Sequence, residues 1–175
     1  MGIYLNCGSG QRPFKPPFVN IECQEKWRRP TEEAGCNFTL GDVLKLPYAN
    51  LSVDMVVSHH CLEHCSREEG DALVDEAYRV LRPNGSLLVF APNLKALAQR
   101  WLMRQLSTEL YMINVYGAYM GSEYDRHKQG FDPESLVAYL KRWPWAEVKP
   151  FDFRRISGAD VAAHDFWIME MECVK

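Results

Sequence analysis

The sequence lacks an apolar run long enough to cross a bilayer. The stretch from Leu87 to Pro92 is among its longest, whereas a transmembrane helix needs about 20 such residues. No basic segment followed by an apolar core stands at the start, so we expect no signal peptide and no membrane association. Positive charge is not in excess either, since the formal net charge is -3. Without a basic field to grip phosphate backbones, nucleic acid is a disfavoured partner.

Cysteine pairs of the CxxC type are also absent, and the cysteine spacing matches no zinc pattern. We expect reduced thiols in a cytoplasmic protein, several of them buried as small apolar side chains. Disulfide pairing is the alternative, which a reducing compartment disfavours. The cysteines concerned are Cys7, Cys23, Cys36, Cys61, Cys65 and Cys173.

What the sequence does contain is an alternation of apolar strand patterns with amphipathic helix patterns. This alternation predicts an α/β fold with a Rossmann-like open sheet, mostly parallel with an antiparallel C-terminal edge. The 175 residues suffice for a single domain, residues 1–175. The predicted helices are Ser66–Arg82, with Ser66 and Glu69 as a capping box, Leu94–Tyr111, and Pro133–Trp143, with Asp132 as N-cap. The predicted strands are Ile3–Asn6, Phe18–Glu22, Asn37–Leu40, Val53–Ser58, Ser86–Ala91, Glu147–Arg154 and Phe166–Val174. In the last strand Trp167, Met169, Met171 and Cys173 alternate with Ile168, Glu170 and Glu172.

Two glycines, Gly8 and Gly10, follow the first predicted strand, where a ligand can approach the backbone closely. A dinucleotide fingerprint needs a third glycine three residues later, but that position is Pro13. The short, proline-rich connection leaves no room for a crossover helix whose N-terminus would hold a pyrophosphate. Glu22, at the end of the next strand, can accept both hydroxyls of a ribose. A ligand with a ribose but no such phosphate, such as S-adenosylmethionine, meets this description; a simple tight turn is the alternative.

Five stretches, read together, resemble the class I S-adenosylmethionine-dependent methyltransferases, in particular small members of the methyltransferase type 11-like family. The resemblance covers roughly residues 3 to 93, and a looser match continues through EYDRHKQGFDPESLVAYL. The sequence departs from the family pattern at Asn6-Cys7, and no helix precedes the first strand. The stretches are LNCGSG, FVNIE, GDVLKLPY, VDMVVSHHCLEHC and AYRVLRPNGSLLVFAPN.

The resemblance implies a cofactor role for the glycine loop, for Glu22 at the ribose and for Asp42 at the adenine amino group. It also implies that the end of the fourth strand borders both the cofactor and the substrate cleft. A missing first helix implies an open cleft, or a homodimer or partner subunit that covers it. The implied cofactor-binding residues are Asn6, Cys7, Gly8, Ser9, Gly10, Glu22, Asp42, Val43, Leu44, Ser58 and His59.

Methyl transfer requires a protein to place the acceptor and, for a hydroxyl, to help remove its proton, because the cofactor supplies the activated methyl group. Histidine titrates near neutral pH, which makes His127, His60 and His59 the catalytic candidates. As alternatives, His59 and His60 contact the cofactor only through backbone atoms, and His127 is a solvated loop residue.

The motif HxxEH, from His60 through Glu63 to His64, offers ligand types that suit a divalent metal. Some methyltransferases, including RNA-terminal and quinone-pathway enzymes, have a similar Glu-His pair here with a metal, usually with Glu in place of His60. Because the pair also occurs in many metal-free members, we expect no metal, and we expect His64 to cap or pack near a helix start.

Residues 94–131 form a candidate insertion that covers the substrate, because this stretch is rich in aromatic side chains with polar tips. Packing of a helix on the sheet is the alternative for about half of them. We therefore expect an enzyme that transfers a methyl group from S-adenosylmethionine to a small molecule. A catalytically silent cofactor-binding module that supports a partner subunit is the alternative, and a nicotinamide-dependent oxidoreductase is a third, weakened by Pro13. The aromatic residues are Trp101, Tyr111, Tyr116, Tyr119 and Tyr124.

Overall fold

The computed structural model describes residues 2–118, 121–152 and 168–175, and in these ranges seven strands form one sheet. The order across the sheet is β3-β2-β1-β4-β5-β7-β6. The first five strands in sequence pair in parallel, and β7 runs antiparallel to both β5 and β6. The predicted fold class, a mostly parallel sheet with an antiparallel C-terminal edge, is confirmed. The strands are β1 (Tyr4–Cys7), β2 (Phe18–Glu22), β3 (Asn37–Leu40), β4 (Val53–His59), β5 (Leu81–Pro92), β6 (Glu147–Pro150) and β7 (Ile168–Val174).

Five α-helices connect or flank these strands in the described ranges, and none of them is long and apolar enough to span a membrane. The first helix, which follows a short 3-10 turn, was not predicted. The predicted helix starts are confirmed at Ser66, which forms a capping box with Glu69, and at Asp132, which caps the helix that begins with Pro133. The helices are α1 (Arg28–Glu33), α2 (Arg67–Val80), α3 (Leu94–Leu102), α4 (Thr108–Tyr116) and α5 (Pro133–Leu140).

The boundary between α2 and β5 differs from the prediction. The helix ends at Val80, two residues before Arg82, and β5 begins at Leu81 rather than at Ser86. Leu81 already pairs with β4 and is extended. The reason is Pro83, which disfavours helical geometry at the residue before it and cannot continue the helix.

The predicted helix Leu94–Tyr111 is wrong, because the chain forms two helices, α3 and α4, in its place. Arg104 lies between them with a φ of 58, a left-handed conformation that no helix continues through. The side chain of Ser107 then accepts a backbone hydrogen bond as the N-cap of α4. The break was hidden because apolar residues keep a helical spacing across it.

The connection from β1 to β2 contains no helix in residues 11–17, all of which the structure describes. The side chain of Asn20, in the middle of β2, holds this connection instead. Its oxygen accepts hydrogen bonds from the Phe14 N–H at 2.8 Å and from Nδ2 of Asn6 at 2.9 Å. Its nitrogen donates to the carbonyl oxygens of Phe14 at 2.9 Å and of Asn37 at 2.8 Å. All four hydrogen-bonding positions of one carboxamide are therefore used to fix the loop on the sheet.

Side chains of β7 alternate between buried and half-buried positions, as predicted. Met169, Met171 and Cys173 are buried, whereas Ile168 and its alternate neighbours are half-buried. The predicted ends of the last two strands, at Arg154 and at Phe166–Trp167, lie outside the described residues. All six cysteines are free thiols, and five of them are buried.

Candidate cofactor and substrate site

A cavity of about 660 Å³ opens where β1, β2 and β4 end. Ligands of open α/β sheets bind at this carboxyl edge of the strands, and the volume lies within the range of small-molecule sites. Most of the predicted site residues meet here. They are Gly8, Ser9, Gly10, Glu22, Asp42, Val43, Leu44, His59, His60 and His127.

The glycine loop and the acidic end of β2 are joined by a direct hydrogen bond. The N–H of Gly10 donates to Oε2 of Glu22 at 3.0 Å, and the N–H of Gly8 donates to the carbonyl oxygen of Ile21 at 2.9 Å. Both glycines have positive φ angles, 66 and 45, which other residues rarely adopt. A Cβ atom at Gly8 would also lie 2.6 Å from Sγ of Cys61. Glycine is therefore required by conformation at both positions, and by space at Gly8.

The carboxylate of Glu22 is almost completely buried yet lines the cavity. Besides the bond from Gly10, its Oε1 accepts a hydrogen bond from the Gln24 N–H at 3.2 Å. Sγ of the exposed Cys23 also donates to Oε1, at 3.5 Å. A carboxylate has about four acceptor positions, so one is free, and a ligand hydroxyl can replace the weakly donating thiol at another.

Asp42 begins the loop after β3, and the loop lines the same cavity. Its Oδ1 accepts a hydrogen bond from the Leu44 N–H at 2.8 Å, which fixes the turn that exposes Val43. The next part of the loop is held by α2, because Oε1 of Glu76 accepts the N–H of Leu46 at 2.6 Å. The loop is thus anchored on both sides of its polar turn.

Asn6, Cys7 and Ser58 do not line the cavity, although the sequence groups them with the cofactor-binding residues. All three are buried in the sheet, Asn6 against Asn20 and Cys7 in the apolar core. Burial raises the pKa of the Cys7 thiol to about 12, so this thiol stays protonated. Their place is beneath the glycine loop rather than beside a ligand.

His59 and His60 end β4 in different environments. The His59 ring is buried between Phe14 and Phe90, with ring centroids 5.6 Å apart in each case. His60 turns away with a φ of 52, and its Nδ1 lies 2.8 Å from Oε1 of Glu63. Since a carboxylate accepts, Nδ1 carries the proton and Nε2 keeps its lone pair. A strained non-glycine residue at a cavity is typical of functional sites.

His127 is far from the HxxEH motif in sequence, but the structure places it beside that motif in the cavity wall. One ligand atom from each of Glu63, His64 and His127 lies within 4.8 Å of the others. Nδ1 of His127 is 2.9 Å from the carbonyl oxygen of Asn114, and Nδ1 of His64 is 3.1 Å from that of Arg126. The structure thereby brings together His64 of the HxxEH motif and His127, which are far apart in sequence.

At both His127 and Glu63, burial and neighbouring charges of opposite sign shift the pKa in opposite directions. Burial lowers the pKa of His127, because the imidazolium form loses its hydration, although the nearby Glu63 carboxylate favours that form. For Glu63 burial alone would raise the pKa, but the hydrogen bond from His60 and the charges of the three histidines outweigh it, and the pKa is lowered. The stable combination is a Glu63 carboxylate beside neutral His127.

Several residues of the cavity lining were not anticipated from the sequence, among them four that lie near the glycine loop and the end of β2. Gln11 and Arg12 extend the glycine loop, and Gln24 and Trp27 follow the end of β2. No local pattern marks them, because their place depends on how the two connections fold over the strand ends. Glu63 was noted only as part of a motif, and its burial could not be foreseen.

Comparisons with known proteins show that the sequence is similar to methyltransferases. A family model described as a methyltransferase domain matches residues 17–89. A protein from Encephalitozoon cuniculi named as a methyltransferase is 30% identical over 103 residues, which are 56% of this chain and 48% of that protein. A ubiquinone/menaquinone biosynthesis C-methyltransferase from Dinoroseobacter shibae is 29% identical over 77% of this chain and 54% of its own length. The chain therefore spans about half the length of these curated relatives.

Solved structures give the same fold over nearly the whole chain. An S-adenosylmethionine-dependent methyltransferase from Archaeoglobus fulgidus has a TM-score of 0.65 at 13% identity, covering 99% of this chain and 86% of its own. A methyltransferase from Haloferax volcanii, solved in complex with the Trm112 activator, has a TM-score of 0.61 at 12% identity, covering 99% and 82%. The chain is therefore similar to methyltransferase domains in sequence over residues 17–89, and in fold over nearly its whole length.

Proposed function

We propose that this chain is a class I methyltransferase, an enzyme that transfers the methyl group of S-adenosylmethionine to a small-molecule acceptor. The observation that carries the proposal is the Gly10–Glu22 hydrogen bond, which joins the glycine loop to a carboxylate facing the cavity. A cofactor ribose can bind the remaining acceptor positions of Glu22. The adenine ring then lies against Val43 and Leu44, with Asp42 at its amino group, and the methionine part lies over Gly8.

The acceptor side of the cavity is supplied by the HxxEH motif and by lining residues from Ile113 to Ala118 and from Tyr124 to Lys128. When bound, S-adenosylmethionine would supply a methyl group activated by its sulfonium, which would pass to the acceptor atom and leave a neutral thioether. For a hydroxyl acceptor, Nε2 of His60 takes the proton, because Glu63 holds the Nδ1–H of His60. This orientation of a histidine by a buried carboxylate is the same arrangement that acid–base catalysis uses elsewhere. His59 supports the cofactor end, and His127 faces the acceptor.

The size of the cavity and the segment between β5 and α5 both support a small acceptor. The described parts of this segment, residues 94–118 and 121–130, lie between Asn93 and Phe131, which form an isolated parallel bridge. Ile113, Asn114 and Tyr124 from this segment line the cavity. A cavity of about 660 Å³ lies in the size range of small-molecule sites, which supports a small acceptor.

Isothermal titration calorimetry with S-adenosylmethionine, S-adenosylhomocysteine and NAD tests the cofactor. We expect the first two to bind and NAD not to bind, because the connection after the glycine loop offers no helix N-terminus to a pyrophosphate. A methyl-release assay against a panel of metabolites then tests the enzyme. Binding of NAD alone would remove the basis of the proposal.

A catalytically silent module that supports a partner subunit is the second candidate. Leu102, Met103 and Tyr116 are large, exposed apolar side chains on or beside α3 and α4. The Haloferax volcanii neighbour shows that a protein of this fold binds an activator. Cofactor binding without methyl release from any acceptor in the panel, together with copurification of a second protein, would favour this candidate.

A further inference from the structure

A compact set of metal-ligand side chains lies on the cavity wall beside the proposed acceptor site. Glu63, His64 and His127 each offer one ligand atom, and the three atoms lie within 4.8 Å of one another. We propose that these residues form a binding site for a divalent first-row transition metal. The proposal differs from the expectation from sequence, which assigns no metal to the HxxEH motif.

The two histidines are held in the form that binds a metal. Nδ1 of His64 and Nδ1 of His127 each lie within hydrogen-bond distance of a backbone carbonyl oxygen, at 3.1 and 2.9 Å. A carbonyl oxygen only accepts, so each Nδ1 carries a proton, and in the neutral imidazole the free lone pair is therefore on Nε2. Metal-binding histidines in proteins commonly donate their second N–H to a carbonyl in this way, which fixes both tautomer and ring orientation.

Glu63 supplies the negative charge and lacks a partner for one oxygen. Its side chain is 1% exposed, and Oε1 accepts the hydrogen bond from His60. Oε2 is buried and has no hydrogen-bond partner among the residues that the structure describes. A buried carboxylate oxygen without a partner is strongly disfavoured, because it has lost its hydration without compensation. A cation bound to Oε2 would supply the missing interaction.

The loop that carries His127 is fixed to the same motif through its backbone. The N–H groups of Lys128 and Gln129 both donate to the carbonyl oxygen of Glu63, at 2.8 and 3.3 Å. The rings of His64 and His127 meet edge to face with centroids 4.7 Å apart. The three ligands therefore lie on two segments that hydrogen bonds already hold together, so that binding requires little rearrangement.

The donor set decides the class of metal. Two imidazole nitrogens and one carboxylate oxygen suit Zn²⁺, Mn²⁺, Fe²⁺ or Co²⁺, whereas Mg²⁺ and Ca²⁺ prefer oxygen ligands throughout. Three protein ligands leave coordination positions open, and all three residues line the cavity. An oxygen of the acceptor can occupy such a position; this last step rests on the proposed function, whereas metal binding does not.

Titration of the chelator-treated protein with Mn²⁺, followed by electron paramagnetic resonance of the free ion, tests the site. Mn²⁺ is chosen because it prefers nitrogen and oxygen donors, whereas Zn²⁺ also binds thiols such as the exposed Cys23. We expect one Mn²⁺ per chain. Glu63→Gln and His127→Asn should each weaken binding by at least about tenfold. Glu123→Gln, which removes an exposed carboxylate of the same loop, should bind like the unmodified protein.

Absence of Mn²⁺ binding by the unmodified protein would overturn the proposal, and that measurement does not depend on how any variant folds. Equal binding by His127→Asn and the unmodified protein, or an equal loss in Glu123→Gln, would also overturn it. S-adenosylhomocysteine binding is measured in parallel by calorimetry. Cofactor binding without metal binding refutes only the metal site, and metal binding without cofactor binding refutes only the proposed function.

Discussion

The N–H of Gly10 donates a hydrogen bond of 3.0 Å to Oε2 of Glu22. The two residues end or follow neighbouring parallel strands, and this bond closes the gap between them before any ligand is present. It sets the orientation of the carboxylate, so that the oxygen positions left over face the cavity. A ligand that uses them meets a prearranged group, which reduces the ordering that binding requires.

Glu22→Gln should weaken the binding of S-adenosylmethionine without unfolding the protein. The amide can still accept from Gly10, but it loses the charge and one acceptor for the ribose hydroxyls. Hydrogen bonds to a charged group contribute about 1.5–3 kcal/mol each, so we expect at least a tenfold loss of affinity in calorimetry. Glu109→Gln, on the exposed first turn of α4, is the matched control. Unchanged affinity with an intact circular dichroism spectrum would mean that Glu22 is not the ribose ligand.

His127→Ala should lower turnover strongly while cofactor affinity hardly changes. The loss of a general base, or of a ligand that positions the acceptor, costs roughly 10²–10⁴ in rate, and we expect affinity to stay within about twofold. Alanine at His59 should instead weaken cofactor binding, because His59 ends a central strand and packs on Phe14. Turnover and calorimetry on both variants give the comparison. Normal turnover of His127→Ala would exclude both the general-base role and the ligand role. If turnover falls, the Mn²⁺ titration shows which of the two roles was lost.

Glu76→Gln should lower stability at neutral pH but not in acid. The carboxylate is 12% exposed, accepts two hydrogen bonds from Arg79 at 2.6 and 2.7 Å, and accepts the N–H of Leu46. These bonds, those from Arg79 foremost, lower the pKa of Glu76 below its ordinary value of 4.5. Because the folded pKa is depressed, the stabilisation is present above the unfolded pKa and is lost as pH falls through the folded one.

We therefore expect Glu76→Gln to lower the free energy of unfolding by about 1–3 kcal/mol at pH 7. The difference from the unmodified protein should shrink below about pH 4. Urea unfolding at several pH values measures it. A difference that stays constant into the acid range would show that the carboxylate acts by packing rather than by its charge.

Gly8→Ala should destabilise the fold more than Gly10→Ala. Both substitutions place a side chain at a positive φ, which costs on the order of 1–3 kcal/mol. Only the Cβ at Gly8 would collide with Sγ of Cys61, at 2.6 Å, whereas the Cβ at Gly10 meets no described atom within 4 Å. Overpacking adds about 1–3 kcal/mol. Guanidinium unfolding of the pair, with Gly8→Ala repeated in a Cys61→Ala background, separates the two contributions; equal losses at both glycines would contradict the clash.

Local signals decided which parts of the fold were predictable. The alternation of Met169, Met171 and Cys173, and the caps at Ser66 and Asp132, depend on near neighbours and were correctly predicted. The break at Arg104 was missed, because a left-handed backbone angle leaves no trace in helical apolar spacing.

The sequence allowed the glycine loop and Glu22 to be placed together, but it did not show that His127 lies beside Glu63. The glycine loop and Glu22 lie close in sequence, and parallel strands must bring their ends together. His127 is a different case, because its position depends on backbone bonds from Lys128 and Gln129 to the carbonyl oxygen of Glu63. No periodicity or spacing encodes a contact between segments so far apart in sequence.

The Asn20 carboxamide has a consequence for the timescale on which the glycine loop opens. The Phe14 N–H lies in a loop without regular structure, yet it is buried and donates to a side chain of the central sheet. Its exchange with solvent deuterium should therefore be as slow as that of the amides in β1 and β2, rather than fast as in surface loops. The polypeptide that follows Gly10 opens only when the sheet itself opens, and the ribose-facing carboxylate keeps its orientation for as long as the strands stay paired.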